Sequence, residues 1–180
     1  ACEDAQAAVR VDEGRVQQHG GRATVRSWHD MAGMAGAGIA AKHSSRGIAI
    51  GDLDNDGTME IVTVNMHQPP SLLKNFSSTK NSILVEALTK SGRAALGARI
   101  EIIAGDRIQR DEVRSGGYHI SHSDFRIHFG LGDHDEVNIT VRWPNGEETA
   151  YGQVSSNTWV VVREGEAKIQ VKQKLVRTKN

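Results

Sequence analysis

The sequence predicts an all-β protein: one Asp-rich-loop β unit packed with a β-sandwich. Three observations carry this. Asp52, Asp54, Asp56 and Glu60 fall at positions 1, 3, 5 and 9 of one short stretch, between β-branched apolar flanks. From Ile83 onward, alternating apolar segments recur between Gly, Pro and Asn turns. Glycine is common (19 of 180 residues) and aromatics are few (4%), which suits a turn-rich β chain.

The expected organisation has four parts. Residues 1–27 form an N-terminal extension, and 28–79 the acidic-loop unit. Residues 80–165 form the sandwich, and 166–180 a basic strand or tail. The extension is polar and Ala/Gly-rich, with Gly20-Gly21 as a break. Ala5 to Val16 fits a short helix or a strand equally, and Arg22 to Trp28 alternates weakly as a strand. Met31 to Ala41 is Gly/Ala/Met-rich, which suits close packing or a loop. It lacks the Lys-Ser/Thr ending of a phosphate loop.

The acidic stretch is Gly51-Asp52-Leu53-Asp54-Asn55-Asp56-Gly57-Thr58-Met59-Glu60. Alternate carboxylates on a curled backbone converge, and converged anions repel unless a hard cation sits among them. Gly57 permits the positive φ of a sharp turn, and Thr58 can offer its carbonyl. The expected ion is Ca2+, held by Asp52, Asp54, Asp56 and Glu60 with Thr58. An EF-hand is excluded. Its twelfth position would be Thr63, and Gly47 to Ile50 and Ile61 to Val64 read as strands rather than helices. The alternative is a metal-free Asp/Asn/Gly turn, but a bare turn gains nothing from four carboxylates on one side.

Arg46-Gly47-Ile48-Ala49-Ile50-Gly51-Asp52-Leu53-Asp54-Asn55-Asp56-Gly57 resembles an FG-GAP/VCBS repeat, the calcium-loop blade of integrin-type β-propellers. That pattern usually ends on Asp where this chain has Glu60. Asn65 and Leu72-Leu73-Lys74-Asn75 resemble the strand ends after such a loop. Trp28-His29-Asp30-Met31-Ala32-Gly33 loosely resembles the segment before it.

In the second half, Ile83 to Leu88 is a strand and Ser91-Gly92-Arg93 a turn. Ala98 to Ile102 alternates, Ala104 to Arg107 turns back, and Ile108 to Arg114 returns as a mostly polar strand. Arg126 to Phe129, Val137 to Trp143 and Thr158 to Val162 are further strands. Pro144-Asn145-Gly146-Glu147 is a hairpin turn. In the tail, Ile169, Val171 and Leu175 share one side of a strand, and lysines on the other side protect an edge.

Leu96 to Ile100, Ser115 to Tyr118, Ser123 to Gly132 and Val141 to Gly146 resemble, in order, the ASPIC/UnbV domain. The resemblance covers about residues 80–165. His119-Ile120-Ser121-His122 departs from its usual Leu-Ser-Gln. It implies no enzymatic activity and an association with extracellular calcium-dependent adhesion and matrix.

Other chemistry is thinner. His119, His122 and His128 are close in sequence, but on an extended strand His119 and His122 face opposite sides. His122, Ser123 and Asp124 invite a hydrolase reading, without a nucleophile elbow or oxyanion motif. Arg114, Arg126 and Arg142 suit acidic sugars or phosphate, or else a solvated face paired with Glu112 and Glu101. Asn75-Phe76-Ser77 and Asn138-Ile139-Thr140 are glycosylation sequons; Asn138 must face solvent to be used. The lone Cys2 cannot close a disulfide within the chain. It is free, cross-links two chains or carries a lipid.

Lys+Arg and Asp+Glu both count 22, so no global bias toward nucleic acid or membrane exists. No apolar run approaches the roughly 18 residues of a span, and no signal peptide is visible. The expectation is a secreted or cell-surface, non-enzymatic calcium protein for adhesion, matrix or a self-assembling filament. A carbohydrate-binding module is the alternative. A single blade-like repeat leaves faces and edges to cover. Either the chain is the tail of a longer propeller protein, or the repeat docks on the sandwich. A third route is self-association, with strand edges completed by another copy and the N-terminal extension donated as a strand. Glycans and matrix proteins are the other expected partners.

Overall fold

The computed structural model describes the backbone of residues 6–7, and residues 35–76, 80–117 and 120–176. Most of the N-terminal extension, Cys2, the segment from Trp28 to Gly33, Ser77 and His119 lie outside the described residues. Within them strand is the dominant regular structure beside one four-residue helix, and the strands form three four-stranded sheets with no closed barrel.

The first sheet is the acidic-loop unit. It contains β1 (Gln6–Ala7), β2 (Ser45–Gly51), β3 (Glu60–Asn65) and β4 (Ser71–Asn75), in spatial order β1-β4-β3-β2. A short helix, α1 (Ala37–Ala40), precedes β2. β2 and β3 pair antiparallel from Ser45↔Asn65 to Gly51↔Glu60, so the acidic stretch is their connection. The β-branched flanks favour the extended backbone, and the Asp/Asn/Gly run between them supplies the turn. β4 continues antiparallel through Ile61↔Leu73, and β1 pairs with β4 in parallel.

The other two sheets face each other as the expected sandwich. β5 (Asn81–Leu88), β8 (Ile127–Gly132), β11 (Thr158–Arg163) and β12 (Gln170–Lys174) form one, in order β12-β11-β5-β8. β6 (Arg99–Ala104), β7 (Arg107–Glu112), β9 (Glu136–Arg142) and β10 (Glu148–Ser155) form the other, in order β10-β9-β6-β7. Period-two alternation sends Ile83, Val85, Phe129 and Val160 inward from one, to meet Ile100, Ile102, Ile139 and Val141 from the other. Trp143 is buried in this core, and its Nε1 donates to Thr149 Oγ1 at 2.9 Å, so no donor is stranded.

The predicted turns hold. Trp143 N donates to Glu147 O at 2.8 Å across the Pro144–Glu147 turn. β10 was not foreseen. Gly152, with φ 73°, and a bulge between Ala150 and Gly152 break its alternation, which hides it from a period-two reading. The tail does form the strand β12, but its apolar residues do not share a side. Lys172 is the extra residue of a bulge opposite Trp159 and Val160, and Val171 is exposed while Leu175 is buried.

The loop unit docks on the sandwich through the free edge of β2. Ser121 Oγ accepts the Ile48 amide at 3.2 Å and Ser123 Oγ accepts the Ile50 amide at 3.1 Å. Asp124 N then donates to Ile50 O at 3.1 Å. Two serine hydroxyls and one backbone amide stand where a neighbouring strand would be.

Candidate metal centre

The β2–β3 connection curls because Asn55 (φ 57°) and Gly57 (φ 88°) adopt left-handed backbone. This brings Asp52, Asp54 and Glu60 together, with one carboxylate oxygen of each within 4.8 Å of the others. Asp52 is fully buried and Glu60 nearly so, while Asp54 is exposed at the mouth.

The buried carboxylates are held by the loop's own backbone. Asp52 accepts the Asp56 amide and the Gly57 amide, each at 3.0 Å. Glu60 Oε2 accepts the Leu53 amide at 3.0 Å, and its Oε1 accepts the Thr58 hydroxyl at 3.2 Å. Burial pushes the Asp52 carboxyl above its usual value, against the pull of those two amides. Burial likewise raises Glu60, against the Leu53 amide, and the neighbouring Asp54 adds to the rise. Both groups therefore lack a full counter-charge. Lys74, on β4, supplies part of one: its Nζ hydrogen-bonds Asp54 Oδ2. That bond, first of all, holds Lys74 above its ordinary value.

The donor set is all oxygen and mostly anionic, which fits a hard divalent cation and not a soft one. Of the four expected carboxylates, three converge. Asp56 lies outside this group: its Oδ1 accepts the Thr58 amide at 2.8 Å and the Thr58 hydroxyl at 2.6 Å. Thr58 is buried and braces Asp56 and Glu60 through its side chain.

The loop also rests in a socket on the sandwich. Arg126 Nη1 donates to Asn55 Oδ1 at 2.6 Å, and its Nη2 donates to the Asp52 carbonyl at 2.8 Å. The Gly57 carbonyl accepts Ser82 Oγ at 3.1 Å and lies 2.9 Å from His128 Nε2. Most of these gripping residues lie in the second half of the chain, a stretch of which resembles a known family model.

Residues 88–169 match the family model described as ASPIC and UnbV. Over 130 residues the chain is 29% identical to Cartilage acidic protein 1 of Xenopus tropicalis, covering 66% of this chain. The chain spans about a fifth of that relative's length (20%). The acidic loop lies before the matched segment. Ser121, Ser123, Asp124, Arg126 and His128 lie within it.

The other sequence candidates lie in the matched segment, apart from Asn75. His122 stacks on Phe125, with ring centroids 4.9 Å apart, and its Nδ1 lies 2.7 Å from the Ser123 carbonyl. Ser123 and Asp124 instead serve the β2 edge, and Asp124 pairs with Arg126 at 2.5 Å. The arginines find partners other than those expected. Glu112 pairs with Arg99 at 3.0 Å, Glu101 with Arg110 at 2.5 Å, and Arg114 with Asp111 at 2.5 Å. Asn138 is exposed on the outer face of β9, as its sequon requires. Asn75 ends β4 and is part-buried.

Sequence reasoning missed Lys74 and Ser82 as parts of the site, and read Arg126 as part of a solvated strand face or, alternatively, as a ligand-binding arginine. A lysine opposite an acidic loop was the one available signal for Lys74. None existed for Ser82, because only the packing of β5 against the loop brings it there.

Proposed function

We propose that this chain is a calcium-binding structural module of an extracellular protein, serving adhesion or matrix rather than catalysis. The convergence of Asp52, Asp54 and Glu60 carries the reading. The stretch that holds them resembles an FG-GAP/VCBS repeat in sequence, and Lys74 offsets only part of their charge. Bound calcium would supply the missing positive charge to two buried carboxylates. Asp52, Asp54 and Glu60 would hold it, and Asp56 and Thr58 would set the loop's shape. Secretion is supported by likeness to a protein named for cartilage. A non-enzymatic role is supported by the structural employment of Ser123 and Asp124 at the β2 edge. Self-association would use the edges left open in the sandwich, with β12 the most exposed of them.

Calorimetric titration of the full chain with calcium tests the reading. A Kd on the order of 0.1–1 mM is expected, typical of extracellular modules. Loss of binding in Asp52→Asn and Glu60→Gln is expected as well. A folded wild-type chain that gives no heat and no thermal shift with millimolar calcium would sink it.

A second reading rests on a groove of roughly 450 Å³ on the outer face of β6, β7 and β9, lined by Arg99, Arg110, Arg114 and Arg142. Its arginines are interleaved with Glu101 and Glu112, so a polysaccharide with both hydroxyls and carboxylates would match it better than a pure polyanion. Binding on a glycan array, lost in Arg142→Ala, would favour this alternative.

A further inference from the structure

Arg126 is the most fully committed polar side chain at the loop–sandwich junction. Its Nε donates to Asp124 Oδ2 at 2.6 Å, and its backbone amide donates to Asp124 Oδ1 at 3.0 Å. The carboxylate thus fixes the guanidinium plane. The remaining nitrogens reach across to the acidic loop, at Asn55 Oδ1 and at the Asp52 carbonyl. The guanidinium also lies over the Trp159 ring, 4.6 Å from its centroid. Trp159 Nε1 in turn donates to Glu86 Oε2 at 3.1 Å. One side chain therefore touches the acidic loop, the segment leading into β8, and β11.

Its two loop contacts are not arbitrary. Asp52 offers its side chain to the acidic centre and its carbonyl to Arg126. Asn55 occupies a left-handed position that an unanchored loop would readily leave. Fixing the Asp52 carbonyl and the Asn55 amide fixes the curl that brings Asp52 toward Asp54 and Glu60.

We infer that Arg126 positions the acidic loop for its cation and transmits occupancy of that loop to Trp159 in the sandwich. This rests on the calcium reading above. It adds a residue outside the ligand set, more than sixty positions along the chain, as a determinant of affinity. Groups that orient ligands from behind typically contribute about 10- to 100-fold to metal affinity. Lysine cannot reproduce the planar fork that meets Asp124, Asn55 and Asp52 at once. Coupling is reciprocal, so the ion that orders the loop also settles the guanidinium over the indole.

The test titrates calcium into the full-length wild type, Arg126→Gln, Arg126→Lys and Trp159→Phe, by calorimetry and by tryptophan emission. Wild type binds and its emission changes. Trp159→Phe binds within about twofold of wild type but loses the emission change, which assigns the signal to Trp159 rather than to Trp28 or Trp143. Arg126→Gln binds about 10- to 100-fold more weakly and shows no emission change at saturating calcium. Arg126→Lys keeps the charge and falls near the glutamine variant. If Arg126→Gln does not fold, Asn55→Gly takes its place. It removes one of the two Arg126 hydrogen bonds from the loop side while tolerating the backbone, and is expected to weaken binding several-fold.

Wild-type affinity in Arg126→Gln, or a full emission change without Arg126, overturns the inference and leaves the calcium reading standing. A folded wild type that binds no calcium removes both.

Discussion

Lys74 Nζ lies against Asp54 Oδ2, so β4 delivers a tethered cation to the mouth of the acidic loop twenty positions upstream. The pair is partly exposed, with side-chain exposures of 33% and 40%, so it adds little to stability in salt. Its position matters more, because an ammonium at Asp54 competes with any other cation there. Lys74→Met is expected to raise calcium affinity by about fivefold, equivalent to roughly 1 kcal/mol. It should change the melting temperature of the chelated chain only slightly. Isothermal titration of the two chains side by side checks this; equal or weaker affinity in the variant would show that Lys74 does not compete.

Asp52 and Glu60 give the chain a pH dependence of definite sign. Both have folded-state pKa values raised chiefly by burial. A raised value means that the folded state holds the proton more tightly than the unfolded state does. Their favourable contribution is therefore complete below about pH 4, the unfolded range. It is lost as pH rises through the raised folded values. Calcium bound as proposed would reverse this, since a metal ion takes the deprotonated carboxylates. The stabilisation by calcium, measured as the difference in melting temperature between calcium and chelator, should thus grow from mildly acidic pH toward neutrality. A difference independent of pH would remove Asp52 and Glu60 from the site.

The acidic centre was legible because its carboxylates lie in one continuous stretch, where side-chain alternation and a glycine turn decide the geometry locally. The sandwich strands were legible for the same reason. Ile100 and Ile102 show their buried face in the alternation alone. What stayed hidden depends on pairs distant in the chain. Arg126 meets Asp52 from 74 positions away, and Ser123 meets Ile50 from 73. No local pattern encodes either contact. β10 was missed for a different reason: Gly152 and its bulge erase the period the eye would follow. Asp56 shows the converse limit. Its spacing marks it as a ligand, but does not reveal that the Thr58 amide and hydroxyl also meet its Oδ1.

Gly57 is where the loop is pressed hardest onto the sandwich. Its φ is 88°, and a Cβ built there would stand 2.8 Å from Ser82 Oγ and 3.5 Å from the Leu175 side chain. Gly57→Ala thus combines an unfavourable backbone with a steric clash. A destabilisation of about 2 kcal/mol is expected, or a fall in melting temperature of roughly 4–8 °C for a chain of this size. Adding Ser82→Ala should recover part of the loss by clearing the nearest atom. Thermal denaturation of the single and double variants decides it, and an unchanged melting temperature in Gly57→Ala would mean the loop does not sit in this socket.

The β2 edge offers the sharpest test of how a single four-stranded unit avoids joining another copy. Ser121 and Ser123 place their hydroxyl oxygens on the Ile48 and Ile50 amides, and the Asp124 amide takes the Ile50 carbonyl. A strand edge left with free amides is a template for pairing with a second chain. Replacing both serines by alanine leaves two amides without acceptors, at a cost of about 1 kcal/mol each. It also exposes the edge whenever the 121–124 segment lifts away. The double variant is expected to melt lower and to self-associate at concentrations where the wild type does not, measured by light scattering with and without calcium. Self-association confined to the variant identifies β2 as the guarded edge. Equal association of both chains, with or without the serines, would place any assembly at another edge, of which β12 is the most exposed.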